Sequence, residues 1–244
     1  MKNVFLLLEK QCEIAPGVFE AVLRGDTSAV TAPGQFVNLK LDGLFLRRPI
    51  SVCDVCGDAL TLIYKVVGKG TEQLTRMTGQ TLDVLTGLGN GYDLSKAGER
   101  PLLIGGGVGV PPLYLAAKKL REAGKTVSVI LGFNTAAEVI LEKRFRDLGA
   151  QVTVTTADGS YGTKGFVTAA MQPGNCSYFY CCGPEPMLKA VYRASDTSGQ
   201  FSFEERMGCG FGACMGCSCK TVTGFKRICK EGPVLEKEEI LWEK

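Results

Sequence analysis

Four cysteines near the C-terminus constrain this chain more than any other feature. Cys209, Cys214, Cys217 and Cys229 are spaced as Cys-x4-Cys-x2-Cys-x11-Cys, the spacing typical of a plant-type [2Fe–2S] cluster. Two iron atoms need four thiolates in one small volume, and the glycines among these cysteines let the backbone turn tightly. A structural zinc site and a disulfide framework are alternatives, but zinc sites usually pair two short Cys-x2-Cys knuckles. The spacing therefore favours an iron–sulfur loop.

The fourth ligand needs a choice, because five cysteines compete for four positions. The first three cysteines of the motif fit the spacing, so the fourth ligand is either Cys219 or Cys229. Cys219 would need a very tight second turn, with no glycine between it and Cys217. A hairpin closing at Gly224 would instead bring Cys229 back to the cluster. We therefore predict Cys229 as the fourth ligand.

Composition indicates a globular protein whose chemistry is carried by cofactors. The 244 residues are 45% hydrophobic, enough for one large or two modest domains. No window approaches the ~20 apolar residues of a membrane span and no signal peptide is evident, so we expect a cytoplasmic protein that does not enter a membrane. The charge of +3 is spread along the chain, which argues against nucleic-acid binding. The absence of histidine removes the commonest general base.

The hydrophobic pattern changes close to residue 97. Up to about residue 85, short β-rich runs are separated by Gly, Pro and Asp, which is typical of an antiparallel barrel. From about residue 100, strand-like and helix-like runs alternate, including a helix-like run at 137–149, and this indicates a parallel α/β sheet. We predict three parts: a β-barrel domain at 1–97, a Rossmann-like α/β domain at 98–200 and a cluster-binding subdomain at 201–244.

Two further motifs are candidate ligand sites. Residues 105–112 read GGGVGVPP after a strand, and such a turn lets backbone N–H groups approach a pyrophosphate. Proline replaces the third glycine of the usual fingerprint, so a plain tight turn explains this motif equally well. Residues 47–51 read RRPIS, which places a guanidinium and a hydroxyl on an extended segment suited to an anion. Taken alone, an arginine pair on an edge strand is the simpler interpretation.

Together the motifs resemble those of one family, the electron-transfer subunits of class 1B dihydroorotate dehydrogenase within the ferredoxin reductase superfamily. The resemblance rests on Arg-Pro-x-Ser, Gly-Gly-Gly-x-Gly-x-Pro-Pro, Cys-Gly-Pro-x-x-Met and the cysteine motif, and it covers nearly the whole chain. It implies that the barrel binds FAD, that the α/β domain binds NAD, and that the cluster links FAD to FMN in a separate catalytic subunit. It also implies a heterotetramer with two copies of each subunit, acting in pyrimidine biosynthesis.

The resemblance also assigns site residues. Arg48 would contact the FAD phosphates and Ser51 would bond near the flavin ring, with Pro49 and Ile50 between them. Ile50 stands where many ferredoxin reductases have an aromatic residue, which leaves open the side chain that covers the flavin. Further FAD contacts are assigned to Ile63, Tyr64, Lys65, Gly70 and Thr71. The NAD site is assigned to Gly107, Gly109, Pro112, Cys182, Gly183 and Pro184.

The implied chemistry needs no catalytic side chain, because hydride passes directly between flavin and nicotinamide. Cys182 would be at most a neighbour of the nicotinamide. Electrons from dihydroorotate oxidation would pass from the partner's FMN through the cluster and FAD to NAD. Residues 134–137 offer no arginine to a 2′-phosphate, which favours NAD over NADP.

The partner subunit is expected to dock beside the cluster. Phe211, Ala213 and Met215 lie between the ligands on a loop too short to bury them all, which predicts an apolar face there.

One alternative function is that of the FAD and [2Fe–2S] subunit of a ferredoxin–NADP reductase or a sulfide dehydrogenase, which can replace one cluster cysteine with a carboxylate. A redox-sensing regulator is a second alternative, and it leaves the glycine-rich turn unused.

Overall fold

The first part of the chain forms a closed antiparallel barrel of six strands, in the order β1-β2-β5-β4-β3-β6. In a computed structural model that describes residues 1–172 and 174–242, buried residues alternate with more exposed ones along the strand Thr81–Leu88, so that Leu82 and Val84 fill the interior. The predicted antiparallel barrel is confirmed. Its elements are β1 (Lys2–Ala15), β2 (Val18–Arg24), β3 (Phe36–Leu39), β4 (Arg48–Cys56), β5 (Ala59–Lys65), the helix α1 (Lys69–Leu74) and β6 (Thr81–Leu88).

The second part forms a parallel sheet covered by helices, as predicted. Its helices are α2 (Pro111–Glu122), α3 (Glu142–Asp147) and α4 (Glu185–Ala194). Its strands are β7 (Pro101–Gly106), β8 (Ser128–Phe133), β9 (Gln151–Thr156), β10 (Thr163–Lys164), β11 (Tyr178–Cys182) and β12 (Gly199–Ser202). Single 3-10 turns lie at Leu94–Lys96, Gly107–Gly109, Ala136–Glu138, Val167–Ala170 and Lys237–Glu239.

The last part of the chain returns to this sheet. The hairpin β13 (Ser218–Thr221) and β14 (Gly224–Arg227) follows the cysteine-rich loop, and then β15 (Val234–Glu236) pairs antiparallel with β12. The sheet order is therefore β10-β9-β8-β7-β11-β12-β15. Because β12 spans the predicted boundary between residues 200 and 201, the three-part division stays a prediction.

The strand order places a ligand crevice between β7 and β11. β7 is the first parallel strand in the chain, and its neighbours β8 and β11 lead to opposite halves of the sheet. Such a switch point opens a crevice at the carboxyl ends of the strands, where ligands bind in open α/β sheets. The glycine-rich turn follows β7 directly, so the fold puts that motif at the crevice.

The predicted helix at 137–149 is wrong in its first half. The structure has a 3-10 turn at Ala136–Glu138 and an α-helix only at Glu142–Asp147. Leu141 between them has a φ of 61°, a left-handed conformation that ends one turn and redirects the chain. Ile140 is buried in the sheet's core, and this packing outweighs the local helical pattern.

Helix α2 joins the barrel to the sheet. Leu115 of α2 lies in the apolar core of the barrel, while Leu113 of the same helix packs in the core of the sheet. Lys118 Nζ also donates to Asp54 Oδ1 of β4 at 3.0 Å. The two halves therefore share one continuous interface. Among the helices that the structure describes, none has the length and apolar character to span a membrane.

Candidate functional site

The four predicted cluster ligands lie on the loop after β12 and just beyond β14. Cys209 Sγ accepts hydrogen bonds from the N–H groups of Ala213 at 3.2 Å and Cys214 at 3.4 Å. Cys217 Sγ accepts one from the N–H of Cys229 at 3.4 Å. The loop thus brings the thiols together as two pairs, Cys209 with Cys214 and Cys217 with Cys229.

The two pairs influence each other's ionisation. Burial raises the pKa of Cys209, but hydrogen bonds from the backbone of Phe211, Cys214 and Ala213 outweigh it and lower the pKa to about 6. The pKa of Cys229 is raised to about 12, first by burial and then by the neighbouring Cys217 and Cys209. The thiolate is the form that binds metal, so the lowered pKa of Cys209 favours ligation through its sulfur.

The donor chemistry of this loop fits a [2Fe–2S] cluster. Within residues 1–172 and 174–242, no three His, Cys, Asp or Glu side chains are already drawn together as a metal-ligand set. The loop nevertheless supplies the four sulfur donors that a [2Fe–2S] cluster needs, and backbone N–H groups bond to Cys209 and Cys217, as hydrogen bonds to cluster sulfurs do. Gly210 and Gly212 have φ values of 79° and 93°, which let the backbone curl around the sulfurs.

Cys219 occupies a different place from these four thiols. It lies on β13 opposite Lys226, and its side chain lines a neighbouring cleft. The predicted hairpin is present, with Thr221 opposite Gly224, and it returns the chain to Cys229. This placement supports Cys229 over Cys219 as a ligand.

A cleft of about 700 Å³ lies beside the cysteine loop, where the barrel, the sheet and the C-terminal segment meet. The barrel contributes residues 46–49 and the sheet contributes residues 183–185 and Leu188. The remaining wall comes from residues 203–207, 219–221, 240–242 and Leu235. Three regions that carried separate motifs therefore share one cavity.

Two arginines at the cleft differ in their partners. Arg47 is fixed to β6, because its Nη2 donates to both carboxylate oxygens of Asp83 at 3.0 Å. Within the described chain, the guanidinium of Arg48 bonds only to the carbonyl oxygens of Leu46 and Arg47. Arg48 also lies across Gly70, where a Cβ would come within 2.1 Å of its Nε. Arg48 thus packs against Gly70 of the second predicted FAD segment. Its guanidinium has no carboxylate partner among the described residues, so it can bind an anion.

The other predicted FAD residues present different groups. Thr71 Oγ1 accepts the N–H of Val67 at 2.9 Å and donates to the carbonyl of Gly68, so it fixes the turn before α1. Ile63 and Tyr64 are buried, whereas the side chain of Lys65 is exposed. Any ligand at β5 would therefore meet Lys65 and the backbone of the strand's end.

The centre of β4 faces the neighbouring strand β3. Pro49 lies opposite Asn38, and Ser51 lies opposite Phe36. Pro49, Ile50 and Ser51 are all half-buried, so each is accessible in part. The Arg-Pro-Ile-Ser segment therefore forms a partly exposed edge of the cleft wall.

The glycine-rich turn and the Cys-Gly-Pro segment pack together. Gly107 has a φ of 53°, and Gly109 lies so near β11 that a Cβ would be 2.5 Å from the carbonyl oxygen of Cys182. Pro112 is the second residue of α2 and is buried. Gly183 and the glycine-rich turn thus occupy the carboxyl ends of adjacent strands, as the dinucleotide interpretation requires.

Cys182 is suited to packing rather than to nucleophilic chemistry. Burial raises the pKa of Cys182 to about 12, although hydrogen bonds with Ser202 and Tyr92 oppose the shift. The thiol is therefore neutral at pH 7, and a neutral thiol is a weak nucleophile.

Two carboxylates beside the nucleotide crevice were not identified from the sequence. Glu138 Oε2 accepts the N–H of Asn134 at 3.0 Å and its Nδ2 at 2.9 Å. Ser160 Oγ accepts the N–H of Ala136 at 2.8 Å and donates to Asp158 at 2.6 Å. Both carboxylates thus flank the loop after β8, where a Rossmann-like fold binds the adenosine ribose. Glu138 directly follows the neutral stretch 134–137, so its negative charge is the sequence feature that would have identified it as a residue near the ribose.

Two known protein families match this chain, one in its C-terminal part and one in its α/β part. The iron–sulfur cluster binding domain of dihydroorotate dehydrogenase B matches residues 204–241, and the oxidoreductase NAD-binding domain matches residues 103–193. A Geobacillus sp. (strain WCH70) protein is 42% identical over 256 residues and covers 99% of both chains. A Bacillus pumilus (strain SAFR-032) protein is 40% identical over 255 residues and covers 98% of both. Both are named dihydroorotate dehydrogenase B (NAD(+)), electron transfer subunit.

Solved structures show the same architecture. A chain of the NADH-dependent reduced ferredoxin-NADP oxidoreductase superimposes with a TM-score of 0.86 at 31% identity, over 97% of this chain and 90% of that one. The FAD/NAD binding domain of a Vibrio cholerae nitric oxide dioxygenase superimposes with a TM-score of 0.66 at 21% identity, over 78% of this chain and 91% of that one. The second likeness shows the fold alone.

Proposed function

Because this chain belongs to the family of electron transfer subunits of dihydroorotate dehydrogenase B (NAD(+)), we propose that it carries electrons between a catalytic partner subunit and NAD. The partner holds FMN and oxidises dihydroorotate, and the physiological flow runs from dihydroorotate to NAD. The complex is a cytoplasmic heterotetramer with two copies of each subunit, and it serves pyrimidine biosynthesis.

The observation that carries this proposal is the cleft shared by three regions. Arg48 and Pro49 stand on one wall, Gly183 and Pro184 on another, and the segment that leads into the cluster loop on the third. A flavin in this cleft would contact the nicotinamide side and the cluster side at once. One chain thus has the sites needed to join two-electron and one-electron chemistry.

The polypeptide holds and orients the FAD and the nicotinamide, and it neutralises the charge of the FAD phosphates. When bound, FAD exchanges hydride with NAD and single electrons with the [2Fe–2S] cluster. Arg48 offers charged hydrogen bonds to the FAD phosphates. Gly109 keeps the turn close enough to β11 for Cys182 to approach the nicotinamide as a neutral group. The hydride step between flavin and nicotinamide needs no side chain as a general base, which fits a chain without histidine.

Site roles follow the three predicted domains. In the FAD domain (1–97), the FAD-contacting residues are Arg48, Pro49, Ile50, Ser51, Ile63, Tyr64, Lys65, Gly70 and Thr71, of which Ile63 and Tyr64 contribute through the backbone. In the NAD domain (98–200), the nucleotide is held by Gly107, Gly109, Pro112, Cys182, Gly183 and Pro184. In the cluster subdomain (201–244), the ligands are Cys209, Cys214, Cys217 and Cys229.

The partner subunit docks on the surface of the cluster loop. Phe211 and Met215 are 43% and 54% exposed between the ligands, and Phe225 on the adjoining hairpin is 73% exposed. Exposed apolar residues grouped in this way are typical of protein interfaces. Docking here would bring the partner's FMN near the cluster.

A second candidate function has a specific observation in its favour. The chain of the NADH-dependent reduced ferredoxin-NADP oxidoreductase is 31% identical and has a similar fold. A subunit of that type would exchange electrons with other carriers instead of with a dihydroorotate-oxidising partner. The higher identity of about 40% to the dihydroorotate dehydrogenase subunits favours the first function.

Cofactor content and flavin reduction test the proposal. The purified chain is expected to hold about one FAD and two iron atoms. Anaerobic NADH should bleach the flavin, and it should do so more efficiently than NADPH. A preference for NADPH would favour the second candidate, and a chain without flavin would overturn both.

A further inference from the structure

Asn38 is a buried polar residue of the barrel that contacts the cluster loop. It lies on β3, is 1% exposed, and its Nδ2 donates to the carbonyl oxygen of Cys209 at 3.2 Å. Gly210 packs so closely on it that a Cβ there would lie 2.4 Å from Nδ2. The loop that carries the first cluster ligand is therefore seated directly on this side chain.

The same residue is linked to the wall of the cleft. Asn38 pairs with Pro49 across the β3–β4 ladder, so both side chains point to the same face of the barrel. Pro49 lines the cleft. The backbone at Asn38 is also fixed, since Arg47 Nη1 donates to its carbonyl at 3.3 Å. Asn38 thus belongs to the strand that pairs with the proposed flavin strand, and its side chain bonds to Cys209.

One polar atom at this junction lacks a partner. Asn38 Oδ1 is buried and accepts no hydrogen bond within the part of the chain that the structure describes. A buried acceptor without a donor is costly, so native proteins normally satisfy it. The contacts of this side chain with the cluster loop are the bond from Nδ2 to the carbonyl of Cys209 and the close packing of Gly210.

We propose that Asn38 is a positioning residue for the iron–sulfur cluster. It fixes Cys209, and with it the cluster, at a set distance from the flavin bound along β4. The proposal rests on the proposed function, because it concerns electron transfer between those two groups. Electron tunnelling weakens steeply with distance, so a loosened loop slows transfer from flavin to cluster and leaves hydride transfer to the flavin unchanged.

Two substitutions and one control isolate this role. Asn38→Leu removes both polar atoms, whereas Asn38→Asp keeps the shape and the acceptor oxygens but removes the donor to Cys209. Thr86→Val is the matched control, because Thr86 is also fully buried in the barrel and its hydroxyl donates to the carbonyl of Lys2 at 3.2 Å. All three variants are compared as subunits loaded with FAD and iron.

Stopped-flow absorption with NADH and electron paramagnetic resonance give separate readouts. Both Asn38 variants are expected to keep flavin bleaching near the wild-type rate, while cluster reduction slows at least about fivefold, because the buried hydrogen bond that holds the loop at its tunnelling distance is lost. The spectrum of the reduced cluster should also change. Thr86→Val should match wild type in every readout.

The outcomes separate this proposal from the proposed function. Loss of iron from the Asn38 variants, with FAD and its bleaching intact, also supports the positioning role. Wild-type spectra and cluster-reduction rates in Asn38→Asp would overturn it, and this variant decides the matter if Asn38→Leu does not fold. A wild-type chain that binds no cluster would instead overturn the proposed function.

Discussion

The nucleotide turn and the cluster loop both depend on glycine and cysteine, yet they are held in opposite ways. The nucleotide turn follows the fully buried strand β7, and Gly109 packs against the carbonyl of Cys182. In the cluster loop, Cys214 and Met215 are exposed, and Met215 has a left-handed φ of 61°. The nucleotide turn is therefore held by packing within the polypeptide, whereas much of the cluster loop is exposed.

This difference has a consequence for folding. The sheet and the barrel each bury a large set of apolar side chains, and this packing accounts for their geometry. Between residues 208 and 229 only Gly210, Gly212, Cys217, Thr221, Ile228 and Cys229 are buried, so much of the loop's order is expected to come from metal ligation. The two redox functions are therefore expected to be separable by mutation.

The largest expected effect is complete loss of the cluster from a single ligand. Cys229→Ser should abolish or strongly alter the [2Fe–2S] paramagnetic resonance signal, because one of four thiolates is lost. Cys219→Ser should keep the signal, since that thiol lines the cleft. FAD content and reduction by NADH should persist in both. The opposite pattern in the two spectra would show that the ligand assignment is mistaken.

The next largest effect is expected at the proposed FAD site of the barrel. Arg48→Ala should weaken FAD binding by about 10- to 100-fold, because a charged hydrogen bond of roughly 1.5–3 kcal/mol is removed. The control is Arg76→Ala, whose guanidinium pairs with Glu72 on α1. Quenching of Trp242, the sole tryptophan and a residue of the cleft wall, measures binding. Equal affinities in the two variants would remove Arg48 from the site.

Iron removal sharpens the contrast between the two regions. A chelator should raise the rate of proteolysis in the loop at 203–217 at least about fivefold, because the loop loses the ligation that orders it. Cleavage within the barrel and the parallel sheet should stay at the rate of the loaded protein. Mass spectrometry of the fragments locates the cuts, and a loop equally resistant with and without iron would contradict the comparison.

The smallest expected effect is on nucleotide choice. The variant Glu138→Gln with Asp158→Asn should improve the use of NADPH relative to NADH by about two- to fivefold, since exposed charges act weakly through solvent. Removal of two negative charges near the ribose lowers the repulsion of a 2′-phosphate. Asp147→Asn, which removes an exposed carboxylate from α3, is the control. An unchanged ratio of kcat/KM values would show that these carboxylates do not select NAD.

The sequence predicted the regular elements better than the contacts between them. Alternation in β6 and the strand–helix pattern after residue 100 report burial directly, so the barrel and the parallel sheet could be predicted. β15 is only three residues long and carries no periodicity of its own. The contact of Asn38 with Cys209 joins residues 171 positions apart, and no local pattern encodes such a contact.

The most direct test of the account is dihydroorotate-dependent reduction of NAD, measured with and without the catalytic subunit. The isolated chain should reduce artificial acceptors with NADH yet show no reaction with dihydroorotate, because we propose that its cleft serves FAD and NAD. Adding an FMN-containing catalytic subunit should restore NAD reduction with the wild-type chain, and Cys229→Ser should remain inactive in that mixture. Dihydroorotate-dependent reduction of NAD by the isolated chain would contradict the account.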